Sequence, residues 1–260
     1  MGLISRRNVW IKFSEWMKSI GAPKLREDKF QYLSANLNLY IYPDALMEDY
    51  LKLCPLDQTW MGLSHALRDK LNPGFQLPEK LRSLPGKLIY FSLGSIGSSV
   101  VELMKRMISI LSKSKHRFIM AKGHTLADYE LPPNIWGDTF VPQIEILPLV
   151  DLVITHGGNN TISETLYFGK PFIILPLFAD QHDNAQRAIE KRIGLRFNPF
   201  TVGEEELLNA IESLLLDADI HVRIAKISKE MHESKSMERV VNRIEEIAEN
   251  PTLPPLIEQK

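Results

Sequence analysis

The chain has 260 residues, 44% of them hydrophobic, and its 31 Lys plus Arg nearly cancel 32 Asp plus Glu, for a formal net charge of −1. That apolar content supports one large or two modest cores and excludes a disordered chain, while the balanced charge gives no long-range field toward nucleic acid or an anionic membrane. A single cysteine, Cys54, excludes an internal disulfide and a cysteine-built zinc cage; it reads as a small core side chain in a reducing compartment, and a cytoplasmic location is expected.

The amino terminus "MGLISRRNVWIKFSEWM" has an amphipathic look, but Lys12 and Glu15 interrupt any apolar core of secretory-signal length. A strand-like "LNLYIY" from Leu37 and "TWMGL" around Trp60 follow without a complete repeating unit, so residues 1–61 read as the end portion of a domain. Residues 62–86 turn polar and proline-punctuated ("LNPGFQLPEKLRSLPG"), as a linker would. From Lys87 short apolar runs ("KLIYFS", "RFIMA", "TFVPQ", "LVIT", "FIILP", "GLRF") alternate with helical patterns such as "VVELMKRMISILSKS". This alternation predicts a parallel sheet flanked by helices, an α/β domain over 87–250. Thr201 and Glu204 have capping-box spacing ahead of a helix bearing Leu207, Leu208, Ile211 and Leu215 on one face. Residues 251–260 carry three prolines in a short span and read as a tail. The longest apolar runs, such as "FIILPLFA" from Phe172, fall far short of the roughly 18 residues of a membrane-spanning helix.

In a parallel sheet the loops at the carboxyl ends of the strands form the ligand crevice, and "LVIT" ends just before "HGGNNT". Gly157 and Gly158 permit close approach or positive φ, and Asn160 and Thr161 begin a helix whose first amides have no internal partner. The positive end of that helix, with the Thr161 hydroxyl and the His156 imidazole, suits a diphosphate. A structural alternative is an ordinary strand-to-helix turn capped by Asn160 or Thr161, with His156 a satisfied neighbour. Gln143, Glu164, Asp180 and Gln181 converge on the same crevice, and a carboxylate can accept from two neighbouring hydroxyls, so Glu164 suits a ribose and Asp180 with Gln181 a sugar.

The run "FVPQIEILPLVDLVITHGGNNTISETLYFGKPFIILPLFADQHDNAQ" resembles the donor-binding signature of UDP-glycosyltransferases, with W-x-P-Q, T-H-x-G-x-N-S-x-x-E, G-x-P and P-x-x-x-D-Q-x-x-N-A nearly complete. The resemblance implies a GT-B fold of two Rossmann-like domains, of which residues 1–61 are a remnant of the first, acceptor-binding one. It also implies that Gln143 bonds the uracil edge, that His156, Gly158, Asn160 and Thr161 hold the diphosphate and Glu164 the ribose, and that Asp180 and Gln181 hold the sugar. "YFSLGS" resembles the family's first strand and loop here, making Gly94 and Ser95 candidates for the far side of the diphosphate. Phe140 stands where the family has tryptophan, keeping a smaller ring for base stacking, and Thr161 replaces serine. Leu149 stands roughly where a family histidine precedes the "THGG" strand. The spacing from Gln143 to His156 is similar to that of bacterial macrolide glycosyltransferases and some arthropod members.

The implied function is inverting, metal-independent transfer of a hexose from a UDP-sugar donor to a small lipophilic acceptor, with no cofactor beyond the donor substrate. The family's base is an amino-terminal histidine with no counterpart here, so the chain reads as truncated and as supplying mainly the donor half. His65, His116 and His124 read as solvated histidines, and His182 as facing water at a helix start. "DAD" at Asp217–Asp219 matches a metal-binding D-x-D formally but reads as a solvated turn. The alternatives are a non-catalytic short form that binds nucleotide-sugar or pairs with a full-length relative, and a nonhydrolysing epimerase.

Overall fold

The computed structural model describes residues 3–67, 74–123 and 130–251. Its elements are α1 (Leu3–Ser19), β1 (Asn38–Ile41), α2 (Asp44–Leu53), β2 (Trp60–Leu63), α3 (Glu79–Arg82), β3 (Leu88–Ser92), α4 (Gly94–Gly97) and α5 (Val101–Leu111). There follow β4 (Arg117–Ala121), β5 (Ile135–Asp138), α6 (Gln143–Ile146), a 3-10 turn (Leu147–Leu149), β6 (Leu152–Thr155), α7 (Asn159–Tyr167), β7 (Phe172–Ile174) and α8 (Asp180–Glu190). The chain ends with β8 (Gly194–Arg196), α9 (Glu204–Leu216), α10 (Ala218–Glu233) and α11 (Ser236–Glu249).

Contacts cluster into two units, Ile41–Leu53 with Leu63–Ser234, and the remainder. In the smaller unit the half-buried Phe13 of α1 lies against the exposed rings of Trp16 and Phe30, and Trp10 Nε1 donates to the Lys29 carbonyl. Cys54, expected in a core, is exposed there: it follows α2 directly, in a segment with no buried neighbours in sequence.

The larger unit is built on a six-stranded sheet of order β5-β4-β3-β6-β7-β8, every neighbouring pair parallel. Strands β3, β6 and β7 are buried along their whole length, as continuous apolar runs require when helices cover both faces. Helix α5 buries Leu103, Met104, Met107, Ile108 and Leu111, a stripe of 3.6-residue period that seats it on the sheet. The chain enters at β3, winds out to β5, returns to β6 beside β3 and winds the other way. The reversal leaves a crevice between the carboxyl ends of β3 and β6, the topological switch point of an open α/β sheet.

Several sequence expectations shift. The third strand is "IWGD", residues 135–138, not "TFVPQ"; Ile135 pairs with Phe118, whereas Pro142 has no N–H to give a ladder and residues 139–142 form the loop into α6. Helix α9 is capped at Gly203, whose N–H donates to Glu206 Oε2 at 3.1 Å, rather than by Thr201 with Glu204. His116 is buried: Nδ1 accepts from the Lys87 N–H and Nε2 lies 2.9 Å from Glu212 Oε1. His65 is half-buried against the Tyr167 ring, His182 is exposed, and His124 and the tail 252–260 lie outside the described residues. Asp217 accepts from the Ile220 N–H as the N-cap of α10, which gives "DAD" a helix-capping role.

The contact boundary also differs from the expected domain division at 61 and 86, because Ile41–Leu53 joins the sheet unit. Leu46 is buried in the core, and Arg187 of α8, only 4% exposed, donates from Nε to the Leu46 carbonyl at 2.6 Å. The same guanidinium pairs with Asp49 and with Glu190 at 2.8 Å and lies over the Tyr50 ring. Its hydrogen bond holds the Asp49 carboxyl down at about 2. A buried guanidinium is tolerated only with such partners, and its loss strands them. Arg187→Ala is therefore expected to lower unfolding stability by about 3 kcal/mol, measured by urea denaturation.

Candidate functional site

A cleft of about 600 Å³, within the size range of small-molecule sites, opens at the carboxyl ends of the strands. Ten of the twelve sequence-nominated residues line it: Gly94, Ser95, Phe140, Gln143, His156, Gly158, Asn160, Thr161, Asp180 and Gln181. Gly157 and Glu164 stand behind the wall and support it.

The floor of the cleft is the turn from β6 into α7. Gly157 adopts φ +87, its N–H donates to Thr155 Oγ1, and a Cβ there would meet Ile174 Cγ2 at 2.6 Å. Gly158 is the N-cap of α7, and no side chain caps the helix, contrary to a turn closed by Asn160 or Thr161. The first amides of α7, which starts at Asn159, therefore have no intrahelical partner, and no acid lies in its first turn.

The His156 ring stands between two glycines. A Cβ on Gly94 would lie 2.7 Å from Nε2 and Cε1, and one on Gly158 2.6 Å from Nε2, so the missing side chains are what admit the imidazole. Burial lowers its pKa from the ordinary 6.5, against the smaller opposing pulls of the Ser92 backbone and Asp180. The ring is thus neutral at pH 7 in the free protein, and its proton affinity rises when an anion comes alongside.

At one end of the cleft, Phe140 is 58% exposed, a free ring at the mouth. Gln143 is held by three groups: Tyr90 Oη donates to its Oε1 at 3.0 Å, and its Nε2 donates to Glu164 Oε2 and, at 3.4 Å, to Thr161 Oγ1. A carboxylate can only accept, so Glu164 fixes which end of the amide is nitrogen, and Tyr90 agrees with that assignment. Glu164, nominated for a ribose, is 3% exposed and faces Gln143, so the two groups proposed for base and ribose brace each other.

At the other end, α8 begins with Asp180 exposed and Gln181 buried. Gln181 Oε1 accepts from the Leu177 and Phe178 amides, which leaves its NH2 end for a ligand. Ala179 between them holds φ +53, an unfavourable value for a residue with a Cβ. Asn184 Nδ2 donates to the Gly157 carbonyl at 2.8 Å and to Asp180 Oδ2 at 3.2 Å, stapling the loops after β6 and β7 together. Sequence reasoning missed Tyr90, Asn159, Asn184 and Arg187. Asn184 alone had a signal, being the asparagine of the D-Q-x-x-N run.

Residues 76–247 match the family described as "UDP-glucoronosyl and UDP-glucosyl transferase". The chain belongs to that family. Similar curated proteins are the uncharacterized UDP-glucosyltransferase YdhE of Bacillus subtilis, 30% identical over 62% of this chain and 42% of its own length, and human UDP-glucuronosyltransferase 2B17, 35% identical over 61% and 31%. The chain thus spans well under half the length of the curated relatives it matches. Among solved structures, the glycotransferase of kitacinnamycin covers 91% of this chain and 61% of its own with TM-score 0.74 at 22% identity, and CalG4, the calicheamicin glycosyltransferase, covers 94% and 60% with TM-score 0.69 at 20% identity. The fold of this UDP-glycosyltransferase family member is accordingly the GT-B α/β type, with a parallel sheet flanked by helices. Among the described residues no helix is long and apolar enough to cross a membrane.

Two substitutions separate support from contact. Gly158→Ala is compatible with the backbone at φ −62 but drives a methyl into the imidazole, so UDP affinity is expected to fall at least about tenfold and the melting temperature by a few degrees. Tyr90→Phe removes one hydrogen bond from Gln143, worth about 1 kcal/mol, and is expected to weaken UDP about fivefold in isothermal titration.

Proposed function

We propose that this chain forms the donor half of an inverting UDP-glycosyltransferase that moves a hexose from a UDP-sugar to a small lipophilic acceptor without a metal ion. The observation that carries the proposal is the uncapped, acid-free amino end of α7 at the sheet's switch point, with the His156 Nε2 wedged beside it. Unpaired amides and a dipole are a ready seat for a diphosphate. Phe140 and Gln143 lie on the side where a uracil would stack and pair, and Asp180 and Gln181 on the side where sugar hydroxyls would donate and accept.

In this reading the cleft supplies leaving-group stabilisation. As the bond from the anomeric carbon to the diphosphate oxygen breaks, negative charge grows on that oxygen, against preorganised amides and an imidazole that need not reorient. His156 donates to the phosphate. The base that takes the acceptor's proton comes from an acceptor-binding part, and the donor substrate is the only small molecule the reaction requires besides the acceptor. A cytoplasmic setting accords with the single, exposed Cys54.

Titration with UDP tests the donor assignment: micromolar binding by wild type, with His156→Ala and Glu164→Ala each weaker by about tenfold or more, is the expected result, and absence of heat with wild type overturns it. The protonation of His156 adds a pH signature. Its pKa is depressed in the free protein, so free-protein stability is full above pH 6.5 and declines as pH falls below it. A bound diphosphate raises that pKa, so UDP-glucose affinity is expected to increase as pH falls from about 7.5 to about 6, by at most about tenfold per unit, and His156→Gln is expected to be flat.

A further inference from the structure

We infer that the groove between α2 and α8 is a second small-molecule site, distinct from the cleft at the strand ends, and that it takes an aromatic amine in its ammonium form. The inference stands apart from the donor assignment, because none of the residues that line the groove lines that cleft.

The groove encloses about 350 Å³, room for a small ligand, and both of its helices belong to the larger unit. Tyr42 lies just ahead of α2, and Met47 and Tyr50 follow on that helix one turn apart, so this wall consists of two phenol rings and a thioether. Such a wall receives the body of an aromatic ligand by ring stacking and by sulfur–aromatic contact. Tyr50 is 46% exposed even with the Arg187 guanidinium 4.3 Å from its ring centroid, so ring surface remains open to a ligand.

The polar groups of the α8 wall decide the ligand's charge. Gln186 is engaged by its neighbours, donating from Nε2 to Glu190 Oε1 and accepting at Oε1 from Arg196 Nη1, both at 3.1 Å. Arg187 is balanced by Asp49 and Glu190, and Lys191 also lies 3.2 Å from Asp49. Asn184, only 6% exposed, lines the groove and donates from Nδ2 to the Gly157 carbonyl and to Asp180, while its Oδ1 accepts no hydrogen bond among the described residues. Asp183, exposed on the same wall, has no ion-pair partner among the described residues. Burial raises the Tyr42 pKa to about 12; Arg187 opposes the rise and Asp180 and Asp183 add to it, so the phenol stays neutral with carboxylates near it. The groove thus gathers a carboxylate, an amide oxygen and a phenol oxygen around a space whose one cation is already paired. A ligand that satisfies them brings positive charge and several N–H donors, as an alkylammonium does with three, and the rings of the facing wall add cation–π attraction.

The 260-residue chain is titrated with tryptamine, with its uncharged counterpart tryptophol, and with tryptamine in the presence of excess UDP. Tryptamine is expected to bind with a Kd of about 1 mM or below, and tryptophol at least about tenfold more weakly, in about 50 mM salt, with the gap shrinking in about 500 mM salt as the attraction is screened. Asp183→Asn, an exposed and nearly isosteric change, is expected to weaken tryptamine about fivefold or more. Met47→Lys, which brings the chain's own ammonium into the groove, is expected to abolish tryptamine binding, and both variants to melt within a few degrees of wild type. Tryptophol binding as tightly as tryptamine overturns the inference, as do absence of tryptamine binding, displacement of tryptamine by UDP, and an affinity for tryptamine that both variants leave unchanged.

Discussion

The amino end of α7 is a helix terminus with nothing of its own to satisfy it. Most helices meet their first amides with a Ser, Thr, Asp or Asn side chain; here a glycine stands at the cap position and the amides face a cleft. Keeping them open requires a tight turn directly off a buried strand, and that explains the rest of the corner. Gly157 takes the left-handed backbone and lets Ile174 approach, Thr155 Oγ1 holds the turn from behind, and Gly158 and Gly94 leave the gap that the imidazole fills. Each of the three glycines has a steric reason to be what it is.

Around that corner the polar groups restrain one another. Asn184 joins the β6 and β7 loops, Gln181 holds the loop before α8, and Tyr90 with Glu164 fixes the amide of Gln143. Preorganised groups of this kind lose little entropy when a ligand arrives. Some of the residues that the family resemblance assigns to ligand contact thus have neighbours as partners, and a bound donor would exchange those bonds for its own.

The sheet was legible because its strands are buried on both faces and read as unbroken apolar runs, and the cleft because polar residues follow those runs at the same end. "IWGD" was missed for the opposite reason. It is an edge strand with a glycine and an acid, while the neighbouring "TFVPQ" carries β-type side chains on a backbone that Pro142 keeps out of the ladder. His116 escaped because a polar context in sequence says nothing of Gly86 and Glu212 closing over it in space. Tyr90 looked like one more apolar residue of β3, and its hydroxyl acquires meaning only when α6 brings Gln143 above the strand end.

Residues 41–53 lie far in sequence from the sheet yet carry part of its interior. Asn159 donates to the Ile41 carbonyl at 2.8 Å, Leu46 fills a core position, and Arg187 closes over the Leu46 carbonyl. A minimal donor module cut at Lys87 would expose that socket, leave a guanidinium without two of its acceptors and free the side chain that anchors the first residue of α7. Any excised version that is to keep the phosphate seat in shape has to begin upstream of Ile41.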